Sequence, residues 1–176
     1  MLIKNYGLLW KRDSVYWGAR GAGNQGSLKG RRADRLTADP VDFSQQIGTY
    51  VLYNETFHIM YVGQVGGVNN DTLLDRLRTH TRDHLAQLWT SFSWFGVRRV
   101  LGTGSLSVVV ANAHSPIADV LNHIEAILRT VANPPHNKRG GNFGDADQYI
   151  QYRDATVLEP TVEEMIKDIW KNKNAL

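Results

Sequence analysis

The chain of 176 residues contains no cysteine. That excludes a disulfide framework, a zinc ribbon and a thiol nucleophile, and leaves any chemistry to oxygen and nitrogen side chains. No stretch reaches the roughly 18 uninterrupted apolar residues of a membrane span, and the opening MLIKNYGLLWKRD has too short an apolar run for a signal peptide. The expectation is a soluble, cytoplasmic protein with no membrane partner. Internal repeats, low-complexity tracts and histidine clusters with metal-ligand spacing are also missing. A chain of this length fits one domain with a small appendage, and its core needs no staple.

Excess charge is small, a formal +3. The basic residues are unevenly placed, gathering at 29–32, 76–82, 98–99 and 138–139. A polyanionic partner explains such clustering, and so does a solvated surface.

The stretch QIGTYVLYNETFHIMYVGQVGG, residues 46–67, holds two runs rich in β-branched and aromatic residues, TYVLY and HIMYV, around NETF. This predicts a β-hairpin with Tyr50 and Tyr61 on neighbouring strands. Upstream, YGLLW and VYW flank a polar turn at Lys11, Arg12, Asp13 and Ser14, predicting a second, aromatic hairpin. The basic loop after it has Gly21, Gly23 and Gly26 in G-x-G-x-x-G spacing. A dinucleotide fingerprint is rejected, because only a short aromatic strand precedes these glycines and Gly30 interrupts the segment where the helix should begin. The loop either lies on phosphates or merely connects.

In NNDTLLDRLRTHTRDHLAQL, Leu73, Leu77, Leu85 and Leu88 form a helical stripe, with Arg76 and His80 one turn apart on another face. FSWFGVRRVL and SLSVVVANA are strand-like. A second helix opens at Ser115-Pro116 and runs to Pro134-Pro135. Its residues Ile117, Val120, Leu121, Ile124, Ile127, Leu128 and Val131 predict a wide buried face, with Glu125 at the edge. Thr161 and Glu164 after Pro160 form a capping box for a short terminal helix.

Taken together, GTY (48–50), YVG (61–63), DRLRTH (75–80) and EAILRTVANPPHN (125–137) resemble the motifs of the GIY-YIG nuclease family, in order and spacing, over about residues 47–141. Thr49 and Val62 stand where the family has isoleucine, and neither departure touches a chemical group. The resemblance implies an α+β fold, a small antiparallel three-stranded sheet flanked by helices, here with an N-terminal β-hairpin extension. The implied organisation is an aromatic hairpin and basic loop at 1–45, the nuclease domain at 46–141 and a C-terminal extension at 142–176.

Carried over by position, the catalytic set is Tyr50, Tyr61, Arg76, His80, Glu125 and Asn137, with Glu125 also the ligand of Mg²⁺ or Mn²⁺. The implied activity is metal-dependent hydrolysis of DNA phosphodiester bonds. A compact chain with an added arm resembles the restriction enzymes of the family, which implies duplex DNA as partner, a homodimer as assembly, and restriction or phage defence as role. Lys29, Arg31, Arg32, Arg78, Lys138 and Arg139 are the expected nucleic-acid contacts. The alternatives are a non-cleaving nucleic-acid-binding protein of the same fold, a repair or mobile-element nuclease, and an RNA-directed one.

The residue types suit the chemistry. Arg76 can place a permanent charged fork on a phosphate, and one carboxylate plus substrate oxygens can hold a hard cation. A tyrosine base near neutrality asks for a downward shift of about three pKa units, or ~4 kcal/mol. The expectation is Tyr50 as base, directly or through His80, with Tyr61 orienting water or phosphate and Asn137 holding the others in place. Each residue also has a plainer role: the tyrosines as a cross-strand aromatic pair, Glu125 in a surface pair with Arg129, His80 as a solvated helix residue, and Asn137 as a turn residue.

Overall fold

The computed structural model of the chain describes residues 2–19, 25–66, 71–108, 117–133, 136, 140–153 and 157. The predicted hairpin is present. Strands β4 (Gly48–Tyr53) and β5 (Ile59–Val65) pair antiparallel, with Tyr50 opposite Gly63 and Leu52 opposite Tyr61. Asn54 builds the turn, its Oδ1 accepting from the amides of Thr56 at 3.1 Å and His58 at 2.9 Å. Strand β6 (Ser91–Gly96) pairs antiparallel with the other side of β4.

The sheet continues well past these strands. β1 (Asn5–Lys11) lies between β6, antiparallel, and β7 (Asp147–Gln151), parallel. Beyond β7 come β2 (Lys29–Arg32) and β3 (Val41–Asp42), giving the order β3-β2-β7-β1-β6-β4-β5. The expected small three-stranded sheet flanked by helices, with a hairpin extension, is therefore overturned by a seven-stranded mixed sheet with two α-helices among the described residues. All three expected segments contribute strands to this one sheet.

The physical reason lies in β1. It sends Trp10 to one face and Tyr6 and Leu8 to the other, and a strand apolar on both faces belongs inside a covered sheet. No aromatic hairpin forms. Residues Arg12–Ser14 make a 3₁₀ turn, Tyr16 keeps only a single bridge to Ser27, and the Trp10 indole donates to the carbonyl of Tyr149 at 3.1 Å.

Period-two alternation along β6 separates the two faces, with Phe92 and Trp94 in one core cluster and Phe95 in the other. On the front, Trp10, Tyr50, Leu52, Phe92 and Trp94 pack with Leu73, Leu74 and Leu77 of helix α1 (Leu73–His80). On the back, Tyr6, Leu8, Phe95 and Phe143 pack with Ala126, Ile127 and Val131 of helix α2 (Ile117–Ala132).

Both helices differ from expectation in detail. α1 begins at a capping box, Thr72 with Asp75, and stops at His80 rather than continuing to Leu88. Just beyond its end, the Asp83 carboxylate accepts from the amide of Leu85 at 2.8 Å, a local bond that competes with helical hydrogen bonding. α2 has nearly the expected span but only part of the expected inward face: Ile127 and Val131 pack against the sheet, whereas Leu121, Ile124 and Leu128 are exposed and His123 and Ala126 are buried. The rings of Tyr6 and Phe143 already fill the back face, so the helix comes to rest on its small Ala126. Of the run SLSVVVANA, Leu106 bridges Val100 and residues 109–116 lie outside the described residues, as does the terminal helix expected after Pro160. No helix among the described residues is long and apolar enough to cross a membrane.

Candidate functional site

Both glycine-tyrosine triplets have a geometric basis. Gly48 has φ 143°, and a Cβ there would lie 2.0 Å from the carbonyl oxygen of Phe95 on β6. Gly63 lies under the Tyr50 phenol, where a Cβ would sit 2.4 Å from the hydroxyl oxygen. The glycine of the second triplet thus makes room for the tyrosine of the first.

Tyr50 and Tyr61 point to the front face, their rings 6.0 Å apart. The Tyr61 ring is 4.8 Å from the His80 imidazole. α1 supplies the opposing wall. Arg76 interacts with both phenolic hydroxyls, principally that of Tyr50, which raises the guanidinium pKa. Its Nε is buried without a hydrogen-bond partner. One turn further along, Nε2 of His80 lies 2.8 Å from the Tyr50 hydroxyl, and Nδ1 lies 2.7 Å from Oδ2 of Asp83. The indole of Trp89 donates to the His80 carbonyl at 3.0 Å, fixing the last turn that carries the imidazole.

Four of the six expected catalytic residues, Tyr50, Tyr61, Arg76 and His80, are therefore brought together. Accessibility divides them: Tyr50 and His80 are 0% and 3% exposed, whereas Tyr61 and Arg76 are half-buried. Burial pushes the Tyr50 pKa up to about 12; Tyr61 adds to the rise and Arg76 opposes it without prevailing. The phenol is protonated at neutral pH, opposite to the depressed value that a resting tyrosine base requires.

Asp83 is a member of the cluster that the family motifs do not include. Although burial opposes ionisation, the Leu85 amide and the His80 ring hold its carboxyl below the ordinary value. The sequence carries a signal for it, because His80 and Asp83 at i and i+3 are neighbours where a helix ends.

Glu125 stands apart. It lies on α2 behind the sheet, with its side chain 63% exposed and paired with Arg129 at 3.1 Å, so the sheet separates it from Tyr50 and Arg76. Asn137 lies outside the described residues, as do Lys138 and Arg139. Among the described residues no group of three or more His, Asp or Glu side chains is placed to hold a metal ion. The carboxylate that the resemblance assigns to Mg²⁺ or Mn²⁺ therefore does not stand beside the phenols.

The other expected nucleic-acid contacts are largely engaged within the protein. Lys29, Arg31 and Arg32 lie on β2, four strands from β4 and so roughly 19 Å across the sheet. Arg31 stacks over the Tyr152 ring at 4.4 Å, and Arg32 pairs with Asp34 and Asp147, each at 2.9 Å. Arg78, on α1, donates to the carbonyls of Trp17 and Gln25, tying down both sides of the glycine-rich loop.

Compared with known proteins, the chain matches no protein-family model, no curated protein and no solved structure.

Proposed function

We propose that the chain is a nuclease of the GIY-YIG type that hydrolyses phosphodiester bonds in duplex DNA, in restriction or phage defence. The observation that carries this reading is the convergence of Tyr50, Tyr61, Arg76 and His80 on one face of the sheet, with a buried, unpartnered Arg76 Nε among them. The Arg76 guanidinium is half-buried, and its N–H fork is suited to the oxygens of a phosphate.

In this reading Arg76 and the accessible Tyr61 meet the scissile phosphate. An attacking water gives its proton to the accessible Tyr61 hydroxyl as Tyr61 passes its own to the buried Tyr50 and Tyr50 its own to Nε2 of His80, so the protonated phenols act as a relay rather than as a resting base. The water oxygen bonds to phosphorus, the bridging P–O bond breaks, and the leaving oxygen takes a proton from solvent. No step is assigned to Glu125 or to a metal.

The test is cleavage of supercoiled plasmid, with Mg²⁺ and with EDTA, by the intact protein and by Arg76→Ala and Glu125→Ala at matched folding. The expected result is discrete cutting that Arg76→Ala abolishes. Normal cutting by Arg76→Ala overturns the assignment. Mg²⁺-dependent cutting lost in Glu125→Ala would require the α2 carboxylate to reach the phosphate, contrary to its position behind the sheet.

The complete burial of Tyr50 favours a second reading, a nucleic-acid-binding module that does not cut. DNA bound without cleavage in either buffer would select it.

A further inference from the structure

We infer that Asp83 is the positioning residue of this site, holding the His80 imidazole as the Nδ1–H tautomer so that Nε2 is a bare acceptor aimed at the Tyr50 hydroxyl. This role rests on the proposed proton relay, but the hydrogen-bond arrangement beneath it does not.

An ionised carboxylate has no proton to give, so across the 2.7 Å contact Nδ1 must donate and Oδ2 must accept. A neutral imidazole carries one N–H, so donation from Nδ1 leaves Nε2 with its lone pair free. That lone pair faces the Tyr50 hydroxyl at 2.8 Å. Donor and acceptor roles therefore run in one direction, from phenol to imidazole to carboxylate, which is the direction a proton from water would travel.

Burial makes this order consequential. Tyr50 and His80 are cut off from water, so solvent cannot compensate for a wrong tautomer. Asp83 is itself held in place, since its second oxygen accepts from the Leu85 amide at 2.8 Å. Both carboxylate oxygens are thus committed, one to the backbone and one to the ring.

Asp83→Asn separates positioning from folding. The asparagine carbonyl can keep the Leu85 amide bond, while its NH₂ turns toward the imidazole. An NH₂ facing Nδ1 favours the opposite tautomer, with Nε2–H directed at the Tyr50 hydroxyl and no acceptor left for the phenolic proton. The same substitution in the Ser-His-Asp triad acts in this way.

The experiment is ¹⁵N NMR of the His80 ring at neutral pH in the wild type and in Asp83→Asn, alongside DNA-cleavage kinetics and circular dichroism. The expected wild-type result is protonated Nδ1 with bare Nε2, and Asp83→Asn should populate Nε2–H. Its kcat should fall at least ~100-fold, with KM for DNA unchanged. A wild-type ring with Nε2–H overturns the inference directly, whether or not the variant folds. So does a folded Asp83→Asn that keeps both the wild-type tautomer and the wild-type kcat. A wild type that shows the expected tautomer but cuts no DNA overturns the nuclease reading and with it the catalytic role, while leaving the hydrogen-bond arrangement intact.

Discussion

The Tyr50 phenol and the Gly63 backbone share one small volume, and each has a measurable consequence. Gly63→Ala forces a methyl group to 2.4 Å from the hydroxyl oxygen. The ring must shift and its bond to His80 must break, at a cost of about 1–3 kcal/mol. Thermal unfolding should register a lower Tm, and nuclease activity should fall with it. The buried phenol also sets a pH limit. Its folded pKa, about 12, lies above the ordinary 10.0, so the associated stability is complete below pH 10 and is lost as pH rises toward 12. Tyr149 behaves alike, pushed to about 12 first by burial and then by Asp147. Each contributes about 3 kcal/mol by this linkage. Tm should therefore drop steeply between pH 10 and 12, and Tyr50→Phe should flatten that drop; an unchanged alkaline limb in the variant would show that Tyr50 is not the titrating group.

At the scale of elements, what is legible in the sequence is what the chain decides locally. The hairpin can be read because Asn54 and the alternating strands meet within a few residues of each other. α1 can be read from its start signal, and Thr72→Ala should cost about 1 kcal/mol, lowering Tm and loosening the helix that holds both Arg76 and His80. Urea unfolding of that variant is the direct measurement. The end of α1 is not legible, because Leu85 continues the helical stripe while the Asp83 carboxylate draws the backbone out of it. The inward face of α2 is legible only in Ile127 and Val131, for a different reason. An apolar stripe shows which side of a helix is oily, but Tyr6 and Phe143 determine which side fits against the sheet, and Tyr6 lies far from the helix in sequence. Glu125 is brought to the tyrosines only by the resemblance, and α2 packs on the opposite face of the sheet.

At the scale of the molecule, sequence patterns mislead most about the role of the ends. Residues 1–45 read as an extension, an aromatic hairpin and a basic loop, whereas β1 is an interior strand with Trp10 in the front core. Deleting residues 1–32 removes β1 and β2 together, so the expected product is unfolded by circular dichroism rather than a folded nuclease with altered specificity. A cooperatively melting deletion product would contradict the topology. The partners of β1 are distant in sequence, since Tyr6 pairs with Phe95 on one side and with Gln148 on the other. That double pairing also governs how the protein is made. During synthesis β1 waits for its parallel neighbour β7, which follows it only after most of the described chain. Until then Trp10 and one edge of β1 lack their partners, so folding should be slow and the yield of native protein should depend on chaperone supply and growth temperature.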